Sequence, residues 1–233
     1  MIKVYPKESR FSRDHGWLQS NFSFSFADFY DPDNLQFGSL RVFNDDFVRP
    51  SQGFGKHPHE EMEIVSIVLD GELKHEDSEG NSAVTTFGGI QRMSAGTGIY
   101  HSEFNPSSTQ EVNFFQLWFL PNKKGVEPEY QKTTYEPSKM KNNLLPVVSS
   151  QASENVAYIN QDVTIYMSDL NTGKELTHTQ EAGRKMFLFV IEGDVTLNDN
   201  IHLSKRDSAR MTDETSVVIQ ANSDARFLLI DLV

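Results

Sequence analysis

The sequence predicts an all-β protein built from two packed β-barrels or jelly rolls, and three observations carry that reading. Apolar residues recur at every second position near the N-terminus, as in Phe22, Phe24 and Phe26, which is the period of a strand and not of a helical stripe. Short apolar runs alternate with Gly turns at Asp70-Gly71, Glu79-Gly80-Asn81, Gly88-Gly89 and Gly96-Thr97-Gly98, the rhythm of short antiparallel strands. The third observation is internal likeness: MFLFVIEGDVTL (Met186–Leu197) repeats the pattern of IVSIVLDGELKH (Ile64–His75). Each is an apolar run, an acidic residue, Gly, a second acidic residue and a new strand, so a β unit of about 100 residues is present twice.

Taken in order, Trp17 to Val48 reads as β. Ile64–Leu69 is a β-branched run ended by Asp70-Gly71, a short hairpin signal, so Glu72–His75 is expected as the returning strand. Phe114–Leu120 (FFQLWFL) closes the first half as a buried strand. The composition then changes: Pro121, Pro128, Pro137 and Pro146 stand among Lys123, Lys124, Lys132, Lys139 and Lys141, with little apolar periodicity, which reads as a connector. The expected organisation is an N-terminal domain over residues 1–121, a connector over 122–146 and a C-terminal domain over 147–233. In the last, strands resume at Val156–Ile159 and Val163–Met167. Aligning Gly71 with Gly193 puts His57 and His59 opposite Thr179 and Glu181, while the ends of the two halves set His101 opposite Asp213. The second copy lacks the histidines.

Composition narrows the chemistry. Lys plus Arg number 21 against 33 Asp plus Glu, a formal charge of −12, which repels phosphate backbones and anionic headgroups; direct nucleic-acid binding and membrane binding are not expected. Cysteine is absent, which removes disulfides, thiolate metal sites and a Cys nucleophile together, so a metal must use nitrogen and oxygen ligands. The opening MIKVYPKESRF has no apolar run of signal-peptide type, and the longest apolar stretches fall far short of the roughly 20 residues of a membrane helix. The expected location is cytoplasmic.

His57-Pro58-His59 is the most informative tripeptide. Two imidazoles at i and i+2 on a strand project from one face within reach of one ion, and Pro58 biases His57 toward extended backbone. His101 and Glu103 repeat that spacing just after Gly96-Thr97-Gly98, so two strands can each supply two ligands to a point between them. Three imidazoles and one carboxylate suit a divalent transition metal: iron, manganese, nickel, copper, cobalt or zinc. Glu61 and Glu63 continue the parity of His57 and His59, so either is an alternative carboxylate, with Glu63 the stronger rival through the spacing HxHxxxE. Glu60 and Glu61 otherwise read as solvated surface. His15, His75, His178 and His202 stand alone and read as core or surface residues, and Phe22, Phe24, Phe26 and Phe29 read as core. Gly96–His101 begins like a dinucleotide loop but lacks the third Gly, and His59–Glu63 is not a zinc-protease HExxH because its fifth residue is Glu.

KHPHEEMEIVSIVLDGELKHEDSEGN (Lys56–Asn81) with QRMSAGTGIYHSEFN (Gln91–Asn105) resembles the pirin family of the cupin superfamily. The resemblance extends to HGWLQSNFSFSFADFYDP (His15–Pro32), GSLRVFNDD (Gly38–Asp46) and FQLWF (Phe115–Phe119), nearly the whole first half. The second half resembles the family's metal-free second cupin more by pattern than by motif. The resemblance implies a bicupin whose N-terminal barrel holds one mononuclear metal, usually iron as Fe2+, through the residues matching His57, His59, His101 and Glu103. It favours Glu103 over Glu63, a choice that spacing leaves open.

The family includes bacterial proteins that look like quercetin 2,3-dioxygenases, which open the flavonol ring with dioxygen and release carbon monoxide. It also includes eukaryotic proteins described as nuclear cofactors of transcription factors. The leading expectation is therefore a metal-dependent dioxygenase, a quercetinase-like oxidoreductase whose substrates are a flavonol or similar enolisable aromatic and O2. Glu103 would be the base that removes the substrate's hydroxyl proton, with Glu63 as the fallback. The alternative is a non-enzymatic, redox-sensing regulatory protein that meets a protein partner. An open apolar cleft leading to the metal would favour the enzyme; a capped metal beside a charged surface would favour the regulator.

Overall fold

The computed structural model describes residues 1–151 and 153–233, and strands dominate it. In chain order they are β1 (Ile2–Tyr5), β2 (Phe11–Asp14), β3 (Leu18–Phe22), β4 (Leu40–Val48), β5 (Gly53–His59), β6 (Glu63–Asp70), β7 (Leu73–Asp77) and β8 (Ser82–Thr85). There follow β9 (Gly89–Ser94), β10 (Ile99–Phe104), β11 (Val112–Phe119), β12 (Glu129–Thr134), β13 (Leu145–Ser149), β14 (Ala157–Tyr158) and β15 (Val163–Leu170). The last are β16 (Glu175–Thr179), β17 (Lys185–Glu192), β18 (Val195–Leu197), β19 (Ile201–Leu203), β20 (Ser208–Thr212), β21 (Ser216–Ala221) and β22 (Ala225–Leu232). Two 3-10 turns, Lys7–Ser9 and Pro137–Met140, complete the inventory of the described residues. No helix is long and apolar enough to cross a membrane.

The chain forms two compact units. The first comprises Phe11–Tyr135 and Ser150–Gln161; the second comprises Met1–Arg10, Glu136–Ser149 and Asp162–Val233. The first unit sets a large sheet, ordered β12-β9-β6-β11-β4-β3-β2, against a small one, ordered β5-β10-β7-β8. Its core includes Leu18, Val68, Leu73 and Phe114 from both sheets, each such side chain contributing about 1.5–3 kcal/mol by leaving water. The second unit repeats the plan with β1-β20-β17-β22-β15-β13 and β16-β21-β18-β19, around Leu188, Val217, Ile219 and Phe227. This is the all-β, two-jelly-roll architecture of a bicupin, and the duplication is exact in strand order: β9, β6, β11 and β4 have β20, β17, β22 and β15 as counterparts.

Several local expectations change. Asp70-Gly71 does not close a hairpin, because β6 lies in the large sheet and β7 in the small one. Gly71 instead turns the chain between sheets at φ 77°, where an added Cβ would stand 2.5 Å from the Glu111 carbonyl oxygen. Gly193 is its counterpart at φ 74°, where an added Cβ would collide with the Asp224 carbonyl oxygen. Only a residue without Cβ fits both the left-handed backbone and the close approach. The first β segment is interrupted from Ser23 to Ser39, a loop in which the Arg41 guanidinium donates to the Ser25 and Leu35 carbonyls.

The segment expected as a connector, 122–146, contains β12, the edge strand beside β9. Its alternation is faint because an edge strand with Lys132 and Glu129 exposed buries little, Thr133 being its one buried residue. Residues 1–10 pair with the second unit through β1 and β20. Sheet order and register also revise the alignment of the halves. His57 and His59 on β5 pair with β10, and the counterpart pair is β16 with β21, where His178 faces Val217 and Leu176 faces Ile219. In place of a donor cluster the second unit has apolar Val217 and Ile219, and His178 is tied to Asp231 at 3.0 Å.

Candidate metal centre and its cavity

Three neighbouring strands of the small sheet each carry an i, i+2 pair of polar donors: His57 and His59 on β5, His101 and Glu103 on β10, His75 and Asp77 on β7. The register sets His101 opposite both His57 and Asp77, and Glu103 opposite His75. Side chains two apart share a face, so all three pairs point to the interior of the same unit. An irregularity between His101 and Glu103 shifts the pairing with β5, and Gly53 lies so close to Phe104 there that no Cβ would fit.

The ligating atoms of His57, His59 and His101 all lie within 4.8 Å of one another, and the three ring centroids form a triangle with sides of 4.6 to 4.8 Å. His57 Nδ1 is 2.7 Å from the Gly55 carbonyl oxygen. A carbonyl only accepts, so Nδ1 carries the proton and Nε2 keeps its lone pair. That Nε2 is 3.1 Å from His101 Nε2. Burial, then repulsion from His101 and His57, pushes the His59 imidazole down to about 3. Burial, then His57 and His75, does the same to His101, also to about 3. Both rings are neutral at physiological pH and thus in the form that binds a metal. Two donors at right angles on an ion with bonds of about 2.0–2.1 Å stand about 3 Å apart, which the His57–His101 separation matches. The residues fit a transition metal.

Glu103 is buried and held from the large sheet, with Ser66 Oγ donating to Oε1 at 2.7 Å and Gln116 Nε2 to Oε2 at 2.5 Å. Its oxygen also lies within 4.8 Å of the nitrogens of His101 and His75. Glu63 is elsewhere engaged: its Oε2 accepts from Ser94 Oγ at 2.8 Å and from the Asn160 backbone N–H at 3.1 Å. Burial raises its pKa despite those bonds and the nearby Arg92. Glu60 is exposed, and Glu61 is half-buried with its carboxylate accepting from the Gly125 N–H at 2.9 Å.

His75 is the residue that sequence reasoning missed. It is buried, its Nδ1 is 3.4 Å from His101 Nδ1, and its Nε2 is 2.9 Å from Asp77 Oδ2. Burial pushes Asp77 up, but hydrogen bonds from His75 and Asn81 outweigh it and hold the carboxyl below its usual range. An ionised Asp77 accepts the hydrogen bond of His75 Nε2–H, leaving the His75 Nδ1 lone pair to face His101 Nδ1–H. His101 Nε2 is thereby left unprotonated toward His57. Tyr130 stacks on His75 at 4.2 Å and fixes its plane. The signal was present in the sequence as a third i, i+2 pair, His75-Glu76-Asp77.

A cavity of about 390 Å³ has His57, His59 and Glu103 in its wall together with Trp17, Phe54 and Trp118. Phe22 and Phe26 line it too, so two of the four phenylalanines read as core face this space, while Phe24 is core. His15, exposed, lies at its edge. A larger hollow of about 620 Å³ in the second unit is lined by Asp169, Glu192, Asp224 and Arg226. It contains no imidazole, and Arg226 is bound to Asp169 at 2.6 and 2.9 Å. Among the described residues both groups of converging metal donors lie in the first unit.

Comparison with known proteins agrees with this architecture. The pirin profile matches residues 4–119, and that of the quercetinase C-terminal cupin domain matches residues 146–232. A protein of Escherichia coli K12 named quercetin 2,3-dioxygenase is 39% identical over 232 residues, spanning 100% of this chain and 99% of its own length. The crystal structure of YhhW from Escherichia coli superposes with a TM-score of 0.95 at 39% identity, covering 100% of this chain and 98% of that one. The same bacterial pirin in complex with nickel(II) gives 0.94 at 38% identity, covering 100% and 99%. With likeness along its whole length and both cupin profiles in place, the chain belongs to the pirin family.

Proposed function

We propose that the protein is a metal-dependent dioxygenase of quercetinase type, opening the ring of quercetin or a similar flavonol with O2. The observation that carries this reading is the aromatic cavity of about 390 Å³ whose wall includes His57, His59 and Glu103, a space of the size and apolar character that takes a small aromatic ligand. A regulatory role through a protein partner called for a capped metal beside a charged surface, and the aromatic lining speaks against it.

In this assignment His57, His59, His101 and Glu103 hold one divalent metal, Fe2+ by the family resemblance, with the same donors suiting nickel, manganese, cobalt, copper or zinc. When bound, the ion supplies Lewis acidity and open coordination positions. Trp17, Phe22, Phe54 and Trp118 sandwich the substrate rings and keep water from the site. Glu103 accepts the proton of the substrate's enolic hydroxyl, producing the electron-rich anion that reacts with dioxygen. Ser66 and Gln116 donate to the two Glu103 oxygens, orienting the carboxylate and stabilising its charge before the proton arrives. Glu63, bound to Ser94 and Asn160 and not among the cavity-lining residues, is the weaker choice of base.

The test is decay of the visible quercetin absorbance by metal-loaded protein, with carbon monoxide measured alongside. Turnover well above free metal that is lost in Glu103→Gln is the expected result. No turnover above free metal, while an authentic quercetinase is active in the same assay, would overturn the proposal.

A further inference from the structure

The large sheet presents a second set of polar groups to the same cavity. Asn44 and Asp46 lie two apart on β4, so both side chains leave one face, and both line the cavity with Ser20 of β3. Ser20 pairs with Asp46 in the register of β3 and β4, and Asn44 pairs with Gln116 of β11. The histidines stand on the small sheet, so the metal donors and the Ser20-Asn44-Asp46 group occupy two different walls, and packed sheets lie about 10 Å apart.

These groups are polar, buried and incompletely satisfied. Asn44 is 2% exposed, and its Oδ1 has no hydrogen-bond partner. Asp46 is 3% exposed, and among the described residues its carboxyl receives a hydrogen bond from Ser20 Oγ alone. Trp118 Nε1, in the wall beside His59, is also buried without a partner. Buried polar atoms are normally paired in folded proteins, by protein, water or ligand. Two orphaned atoms and a one-bonded carboxyl in a single aromatic cavity mark it as shaped for a ligand that brings its own polar groups.

We propose that Ser20, Asn44 and Asp46 form a hydroxyl-recognising subsite that selects aromatic substrates carrying phenolic hydroxyl groups on the ring opposite the metal-binding end. The Asn44 carbonyl oxygen accepts one phenolic O–H, and the Asp46 carboxyl bonds to the neighbouring hydroxyl while Ser20 fixes its orientation. Burial, against the opposing Ser20 bond, pushes Asp46 up to about 8. At neutral pH it therefore retains a proton and both donates and accepts, as vicinal hydroxyls require. A substrate without those hydroxyls leaves the subsite unpaired, a loss that discriminates strongly.

This inference rests on the flavonol reading above and is tested so that the two fail differently. Metal-loaded protein is titrated anaerobically, so that binding is read without turnover, with quercetin and with galangin, the flavonol lacking hydroxyls on the pendant ring. The readout is quenching of Trp17 and Trp118, the chain's two tryptophans, both in the cavity wall. The wild type should bind quercetin about tenfold or more tightly than galangin. That ratio should collapse toward unity in Asn44→Leu and in Asp46→Leu, with metal content verifying that each variant's barrel is intact. Equal binding of both flavonols by the wild type, or an unchanged ratio in both variants, overturns the subsite and leaves the flavonol reading standing. Binding of neither flavonol overturns both.

Discussion

His57 Nε2 and His101 Nε2 stand 3.1 Å apart, and the hydrogen bond of His57 Nδ1 to the Gly55 carbonyl directs a lone pair, not a proton, from His57 into that gap. Facing lone pairs repel, and a gap of 3.1 Å has no room for a water between the two atoms. A cation held by both nitrogens would relieve that repulsion, and His101, kept neutral by burial, would accept one without first releasing a proton.

His75 orients His101 from behind, so His75→Ala should weaken metal affinity about 10–100-fold while leaving the donor set intact. Asp77→Asn should act in the same direction and less strongly, because an amide still accepts from His75 Nε2. Competition titration with a metal chelator measures both. Wild-type affinity in His75→Ala would show that His101 holds its tautomer unaided.

Acid should destabilise the metal-free protein through His59 and His101. Their folded pKa values, both about 3, lie below the unfolded value near 6.5, so the unfolded chain binds more protons and stability is fully present only above about pH 6.5. It is lost progressively as pH falls toward 3. Protons compete with the metal for the same nitrogens in the folded state, so the Tm gap between loaded and metal-free protein should narrow as pH falls toward 3. A gap independent of pH would contradict the assigned protonation states.

Asp46 titrates with the opposite sign. Its folded pKa of about 8 lies above its unfolded value of 3.8, so its protonated form favours folding and that stability is lost as pH rises from about 4 through 8. Asp46→Asn keeps an acceptor for Ser20 and cannot ionise. Its Tm should exceed that of the wild type by a margin that grows across this window and levels off above it. Parallel Tm curves would place Asp46 in a wetter setting than the buried wall of β4.

Much of the candidate site was legible because potential metal donors are few residue types and recur here at a strand's period of two. His57-Pro58-His59 and His101-Ser102-Glu103 were visible for that reason, and the equivalence of Gly71 and Gly193 followed from a shared turn. Glu63 stayed a rival to Glu103 because parity along one strand says nothing of which sheet a side chain faces; Ser94 and Asn160 decided its place. His75 looked solitary because its partners, His101 and Asp77, come together only through the β7–β10 register. Asn44 and Asp46 were hidden inside LRVFNDDFV, where a polar residue on the inner face reads like one on the outer face until the sheet is built. The counterparts of the histidines were misaligned because loops of unequal length separate the duplicated strands.

The duplicated turn gives a separate check. Gly193→Ala places a Cβ against the Asp224 carbonyl at a left-handed residue, which should cost at least about 1–2 kcal/mol and lower Tm by several degrees. Metal content should not change, because the donors belong to the other unit. Calorimetry with elemental analysis on one preparation decides it, and loss of metal would show that the first unit's site depends on the second.

The most direct test of the account is elemental analysis of protein purified without added metal or an affinity tag, set beside His101→Ala. The account predicts about one transition-metal ion per chain in the wild type and its loss in the variant, since His101 belongs to both groups of converging donors. Metal retained undiminished by His101→Ala, or a wild type that binds none even when metal is supplied, would contradict the metal centre on which the proposed chemistry depends.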